Sequence, residues 1–346
     1  VNEPGNDYAG VPEPWSGDSQ PGPDWRGFGP RLARLLVVSV VVFLMLLGVA
    51  ATLGGVAARQ WWVAELTTHF KIQLAIALAV CALVLALLRS YGFALLALLA
   101  AVVNLALVAL IYLPAPDPSR YDSRNLRVLF AHLDRTSADY DAVASLVRKE
   151  DPDLVVFNEV SREWLAGLDP LNAAYPHRVA VPRDDEHGLA IYSQLPLSET
   201  VSPTLGTLGL PAIATRAMLD DIPITMITAH PPMPMTGDLA AERNRQFDEL
   251  ATLARSRQAP AILCGDLSTS PWSPFFVDLL DGTGLLNSRQ GHGLEATWNA
   301  SWPRLMTLPI DHCLTSPDIA VLALRRGPRV GSDHLPLLVD LAVSKP

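Results

Sequence analysis

Charged residues are scarce in this chain. They make up 18% of its 346 residues, while 50% are hydrophobic; a soluble domain usually carries about 25% charged residues. That balance excludes a disordered chain and works against a wholly soluble one. Cysteine is scarcer still: Cys81, Cys264 and Cys313 are too few for a disulfide framework or a zinc knuckle, and they leave the redox compartment open. Basic residues are outnumbered, 26 against 35 acidic ones, for a net charge of -9. This argues against a broad electrostatic footprint for nucleic acid. No internal repeat and no dinucleotide-type glycine fingerprint is visible.

What is present is unevenly spread. Residues 35–58, 72–88 and 90–116 contain no Asp, Glu, Lys or Arg, and a membrane-spanning helix needs about 20 apolar residues. The expectation is an anchor over 31–113 with three spans near 32–56, 72–89 and 92–113. A cleaved signal peptide fits poorly, because a polar leader precedes the first run and two more runs follow it. Trp61 and Trp62, with Arg59, Glu65, His69 and Lys71, read as an interfacial belt between the first two spans. Asn104 inside the third reads as a hydrogen bond between helices. Residues 1–30, rich in Pro, Gly, Asp and Ser, read as a disordered tail.

Three spans place the two ends on opposite sides of a membrane. Arg26, Arg31, Arg34 and Arg89 fall on one side; Arg59, Lys71, Arg120, Arg124 and Arg127 fall on the other. That near balance does not choose an orientation, but the usual dominance of the first helix favours a multi-pass cell-membrane protein with an extracytoplasmic C-terminal domain. Residues 114–123 form a proline-stiffened linker into a domain over 124–346. From residue 120 onward there are 20 Lys and Arg against 28 Asp and Glu, so nearly all the acidity belongs to this domain. Apolar runs predict strands over 126–131, 154–158, 188–192, 213–219, 223–229, 260–264, 309–315 and 336–341. Amphipathic stretches predict helices over 138–150, 239–257 and 274–281. Such a mixture indicates an α/β layered domain.

Four polar clusters border these strands: Asn158-Glu159, His230, Gly265-Asp266-Leu267-Ser268, and Ser332-Asp333-His334 before the last strand. Strands ending in carboxylates and imidazoles place those groups on a common rim. Hard divalent cations take carboxylate oxygens, and hydrolysis needs a base beside the metal. Each cluster alone is weak, since Gly-Asp after a strand is commonly a turn. Cys264 and Cys313 lie inside apolar strands and read as core. His312 reads as structural, and His177, His187 and His292 as loop residues. Asp184-Asp185-Glu186-His187 reads as a solvated loop rather than a second metal site.

The order Asn-Glu-Val, Ala-His, Gly-Asp-x-Ser, Ile-Asp-His and Ser-Asp-His resembles the endonuclease/exonuclease/phosphatase superfamily over about 124–342. Gly188 to Ser193, Arg243, Gln246 and Thr297-Trp298 add to the likeness. The resemblance implies a four-layer α/β sandwich, two packed mixed β-sheets flanked by helices as in pancreatic deoxyribonuclease. It implies that Glu159 binds Mg²⁺ or Mn²⁺ with help from Asp333, and that Asp266 deprotonates the attacking water. It further implies that Asp311 fixes and charges His334, and that His230 donates to a phosphate oxygen. The implied reaction is hydrolysis of a phosphodiester or phosphomonoester by direct water attack. The partners are then the phosphate-ester substrate, whether lipid headgroup, nucleotide or nucleic acid, and the bilayer; no protein partner is implied. Two departures stand out. His132 occupies a position where the family has Asn, and imidazole there could join the metal shell and shift selectivity toward Mn²⁺. Ser268 replaces the Asn whose amide contacts phosphate. Asp134 is a candidate compensating contact. The alternative is a catalytically weak or inactive tethered module that binds a phosphorylated ligand.

Overall fold

A computed structural model describes residues 28–114, 123–257 and 260–344. Residues 1–27 of the expected tail and 115–122 of the expected linker lie outside them. The chain opens with α1 (Phe28–Gly54), the short α2 (Trp62–Thr68), α3 (Lys71–Leu87) and α4 (Tyr91–Ala109). The interior of this bundle is built from small residues: Ala82, Ala94, Ala97, Ala100 and Ala101 surround Met45, Leu78 and Leu85. Large side chains such as Leu35, Phe43, Leu83 and Leu105 face outward. That inversion suits helices solvated by lipid, where close backbone approach rather than leucine burial holds neighbours together. Asn104 Nδ2 donates to Thr52 Oγ1 at 2.8 Å, the bond between helices that its position suggested.

Two of the three expected spans are shown by helix length alone. Two described helices, Gly29–Ala57 and Tyr91–Tyr112, are long and apolar enough to cross a membrane; a third exists only if α2 and α3, bent by 75°, count as one. The reason is length. α3 alone has 17 residues, which at about 1.5 Å per residue falls short of a hydrocarbon core of about 30 Å.

After the bundle come β1 (Ser123–His132), α5 (Tyr140–Glu150), β2 (Leu154–Asn158), α6 (Arg162–Gly167), β3 (His177–Val181), β4 (Leu189–Ser193), β5 (Leu197–Val201), β6 (Thr204–Leu205), β7 (Leu210–Leu219) and β8 (Ile222–Ala229). The chain continues with α7 (Gly237–Arg255), β9 (Ala261–Asp266), α8 (Pro274–Thr283), β10 (Leu286–Asn287), β11 (Asp311–Thr315), β12 (Ile319–Arg326) and β13 (Leu337–Ser344). One sheet runs β12-β13-β1-β2-β4-β3 and the other β10-β11-β9-β8-β7-β5, with β6 paired to β7. The period of two along each strand separates the layers. Leu126, Val128 and Phe130 of β1 meet Ile224, Met226 and Ile262 in the space between the sheets. Leu129 and Ala131 turn outward under Val143 and Val147 of α5. On the far side Ile227 and Leu263 lie beneath Phe247 of α7 and Phe276 of α8. Two mixed sheets flanked by helices are therefore the fold that the sequence suggested.

Cys264 and Cys313 are core residues, as expected, but they are also bonded to each other. Their strands are antiparallel and the two residues stand opposite in register, both facing the space between the sheets. The pairing settles what the cysteine count had left open, and Cys81 alone is free.

Candidate active site

Strand direction gathers the polar clusters. β1 and β2 are parallel, as are β8 and β9, so His132, Asn158-Glu159, His230 and Asp266 emerge at one rim. β11 and β13 run antiparallel to β9 and β1. The starts of these two strands therefore bring Asp311, Asp333 and His334 to that same rim. Two glycines permit the approach. A Cβ on Gly265 would stand 2.2 Å from the Ala229 carbonyl oxygen, and one on Gly188 would stand 2.0 Å from that of Val160. Glu159 and Ser268 adopt left-handed backbone, with φ of 59° and 49°, a conformation that side-chain-bearing residues keep mainly where surrounding structure imposes it.

Asp266 is the centre. Its Oδ1 accepts from the Ser268 amide at 2.7 Å. Its Oδ2 faces three imidazole Nε2 atoms: His230 at 3.6 Å, His132 at 3.8 Å and His334 at 3.9 Å. The rings of His132 and His334 stack at 3.9 Å, and His230 meets His132 edge-on at 5.0 Å. His334 Nδ1–H donates to Asp311 Oδ2 at 2.8 Å, which turns Nε2 into the site. His230 Nδ1–H donates to the Glu186 carbonyl at 2.8 Å, with the same result. Glu159 Oε2 accepts from the Arg135 amide at 2.9 Å, and Oε1 lies 3.8 Å from His132 Nε2.

The charge states separate these groups. Burial opposes a charge on His334, but the Asp311 carboxylate outweighs it and pushes the imidazole up to about 9. Burial likewise opposes a charge on His230, and its interaction with Asp266 raises it nonetheless. His132 lies well below its ordinary value, through burial first and then the neighbouring imidazoles. Burial would raise Asp266, yet His230 and His334 hold it below the usual carboxylate range. Glu159 is raised, chiefly by burial. The rim therefore holds one neutral imidazole, two that favour the cation, and an ionised Asp266 between them.

A neutral imidazole is the form that binds a metal. His132, Glu159 and His230 can bring one donor atom each within 4.8 Å of one another, as can His132, Asp333 and His334. His132 Nδ1 is buried without a hydrogen-bond partner among the described residues. This donor set fits a divalent ion, and its nitrogen content suits a first-row transition metal better than an all-oxygen shell would.

The remaining expected residues sit less centrally. Asp333 is half-exposed, and its Oδ2 accepts from Trp298 Nε1 at 2.8 Å, leaving Oδ1 at 3.9 Å from His334. Ser268 Oγ donates to the Pro231 carbonyl at 3.2 Å rather than into the cluster. Asp134 is not brought to the site; its Oδ1 accepts from the amide and hydroxyl of Thr136. That corrects its role as a compensating contact, and the cause is local, because a short acidic side chain beside a turn closes onto its own backbone.

Other residues of the site were given no role by the sequence reading. Asn158, fully buried, accepts from the Asp266 amide at 2.9 Å and donates to Thr228 Oγ1 at 3.3 Å, tying the two sheets together. An amide ending an otherwise apolar strand was the available signal. His187, read as a loop residue, donates from Nδ1 to the His230 carbonyl at 2.9 Å. Arg289, buried, donates to the Asp311 carbonyl at 2.7 Å and to His312 Nδ1 at 3.1 Å. His312 Nε2–H donates to the Thr269 carbonyl at 2.8 Å, so His312 is structural as expected. Burial and the Arg289 charge hold it at about 3, hence neutral.

Solved structures share this architecture. An endonuclease/exonuclease/phosphatase protein from Beutenbergia cavernae is 21% identical, with 64% of this chain and 72% of that one covered at a TM-score of 0.56. A family protein from Bacteroides thetaiotaomicron is 18% identical, covering 65% and 100%, at 0.53. TDP2 of D. rerio, solved with a single-strand DNA product, is 14% identical, covering 63% and 98%, at 0.52. No curated protein matches the chain. The sequence pattern of the Endonuclease/Exonuclease/phosphatase family matches residues 125–334, more than half of the chain and every residue of the rim, and the chain belongs to that family.

Proposed function

We propose that the chain is a membrane-anchored, divalent-metal-dependent phosphoesterase that hydrolyses a phosphodiester or phosphomonoester by direct attack of water. The observation that carries the reading is the surrounding of Asp266 Oδ2 by three imidazole Nε2 atoms within 4 Å. In this reading Asp266, kept ionised, orients water and takes its proton. His334 and His230 present N–H groups to the non-bridging phosphate oxygens, where negative charge accumulates in the transition state. Asp311 holds His334 in the donating tautomer. Glu159 and His132 would hold the metal, Asp333 would assist, and Mn²⁺ suits this set at least as well as Mg²⁺. When bound, the ion supplies Lewis acidity and a lowered pKa for its water.

The test is turnover of bis(p-nitrophenyl) phosphate by the full-length chain in detergent with Mn²⁺, against Asp266→Asn. The expected loss is about 10²–10⁴-fold; equal rates would sink the mechanism. A second reading, a binding module without turnover, draws on the engagement of Ser268 Oγ by Pro231. Metal and phosphate binding with no hydrolysis by the wild type would select it.

The same proposal places the family domain outside the cytoplasm. Disulfides persist in oxidising compartments, and Cys264–Cys313 lies in the domain. Three passes are supported by helix direction. Arg34 Nη2 near the start of α1 donates to the Leu88 carbonyl beyond α3, while Gly55 after α1 lies near Lys71 at the start of α3. α3 therefore runs back along α1 rather than lying across its end.

A further inference from the structure

The helical bundle does more than carry the domain: it forms one wall beside the catalytic rim. Glu65 of α2 is fully buried, receives Arg243 Nη2 of α7 at 2.7 Å and accepts from Ser273 Oγ at 2.7 Å. His69 Nδ1 meets Ser270 Oγ at 2.8 Å. These contacts hold the α2–α3 junction against the loop that follows Asp266.

Between that junction and the loop lies an apolar cavity of about 230 Å³, walled by His69, Phe70, Met235, Ser268, Trp298 and Trp302 among others. Two of its walls are one hydrogen bond from catalytic carboxylates: the Ser268 amide on Asp266 and the Trp298 indole on Asp333. Leu66, Leu308 and Ile310 complete a lining that is apolar throughout. A complete small-molecule site spans roughly 300–1,000 Å³, so this volume fits part of a ligand whose remainder lies elsewhere.

The surroundings say where. Met235 is 58% exposed and Leu305 62% exposed, and Trp302 and Met306 are also open. The Leu305 carbonyl accepts from Gln73 Nε2, in the first turn of α3, at 2.9 Å. The apolar lip of the cavity thus stands at the level where the bundle enters the membrane in the reading above.

We infer that this cavity is a chain-binding groove and that the substrate is a membrane lipid bearing a phosphate ester. Its phosphate lies in the histidine–carboxylate cluster, its first carbons in the groove, and its remaining chain in the bilayer. The inference rests on the phosphoesterase reading and narrows it from any phosphate ester to an amphiphile.

Chain length tests it directly. The ethyl and hexadecyl esters of p-nitrophenyl phosphate share one reacting centre, and both are offered to the full-length chain in maltoside micelles with Mn²⁺. The expected ratio of kcat/KM, hexadecyl over ethyl, is at least about 10 for the wild type, or about 1.4 kcal/mol. Met235→Glu, at an exposed position that tolerates charge, should lower the ratio at least about 5-fold by charging the lip of the groove. A wild-type ratio near 1 overturns the inference. So does a ratio that Met235→Glu leaves unchanged, since partition into micelles would then account for the preference. If neither ester is hydrolysed, the phosphoesterase reading fails, and the groove is read by fluorescence. In nanodiscs of brominated phosphatidylglycerol, the signal lost on Trp302→Phe should be quenched in the wild type. Quenching keeps the lipid groove, and its absence overturns it.

Discussion

Asp266 and His334 illustrate how position decides the chemistry of ordinary side chains. An isolated imidazole titrates near 6.5; paired with Asp311 in a buried site, His334 is pushed up to about 9 and stays cationic across neutral pH. His132, stacked on it at 3.9 Å, is driven the opposite way and kept neutral. The pair behaves as two residues whose pKa values have been separated by their surroundings, which is how acid, base and ligand roles are divided within one site. Replacing Asp311 by Asn removes the charge and frees the ring to adopt the wrong tautomer. The variant should fold, since Asn is nearly isosteric, and should lose between about 10²- and 10⁴-fold in kcat. Turnover of a generic phosphodiester with Mn²⁺ measures this, and wild-type kcat in Asp311→Asn would remove His334 from the chemistry.

Among the elements, α7 has the most to do with how the two parts of the chain join. Its Glu242 binds the 206–208 turn through Thr207 Oγ1 and the Leu208 amide. One residue on, Arg243 turns to Glu65 in a pair that is 0% exposed on both sides. A buried ion pair adds little over a well-packed apolar pair, yet losing one partner strands a charge at a cost of about 3–5 kcal/mol. Glu65→Ala should therefore destabilise the full chain by that amount, while Glu65→Leu with Arg243→Met should recover most of it. Denaturant unfolding in detergent checks both, and a Glu65→Ala loss below about 0.5 kcal/mol would show the pair to be incidental. None of this coupling was legible in the sequence, where Glu65 read as part of an interfacial belt; long-range pairing of one carboxylate with one guanidinium leaves no local pattern. The domain's core strands were legible. β1, β2, β4, β7, β8, β9, β11 and β13 all coincide with apolar runs, because central strands are buried on both faces. β3, β5, β10 and β12 went unseen, and each lies at the edge of its sheet. Edge strands such as Leu197–Val201, largely exposed, carry polar residues that interrupt any run. The rim was legible for a related reason, since carboxylates and imidazoles at strand ends stand out against apolar strands. The tie that Asn158 makes between the sheets was not, nor was Arg289, because a hydrogen bond across the fold and a lone arginine leave no local pattern.

For the whole molecule, the proposed three passes have a consequence for where the site faces. Among the described residues the domain meets the bundle at one end: the Gly291 amide donates to the Ile111 carbonyl at 2.8 Å, Gln290 Nε2 donates to the Leu110 and Leu113 carbonyls, and Arg59 pairs with Asp278. The opposite end holds Arg34 and the Arg89 turn, together with the start of α1. In the proposed reading, with α3 traversing, the usual dominance of the first helix puts that end in the cytoplasm and the site outside, where a core disulfide is stable. Protease added to intact cells should then cut within residues 123–344 without permeabilisation. In the same cells a thiol reagent should find Cys264 and Cys313 blocked until reduction, with Cys81 the single free thiol. Protection of the domain until the cells are lysed, with both domain cysteines reactive, would turn the molecule over. It would also place the catalytic rim against the inner leaflet, and an extracytoplasmic lipid pool could then no longer supply its substrate.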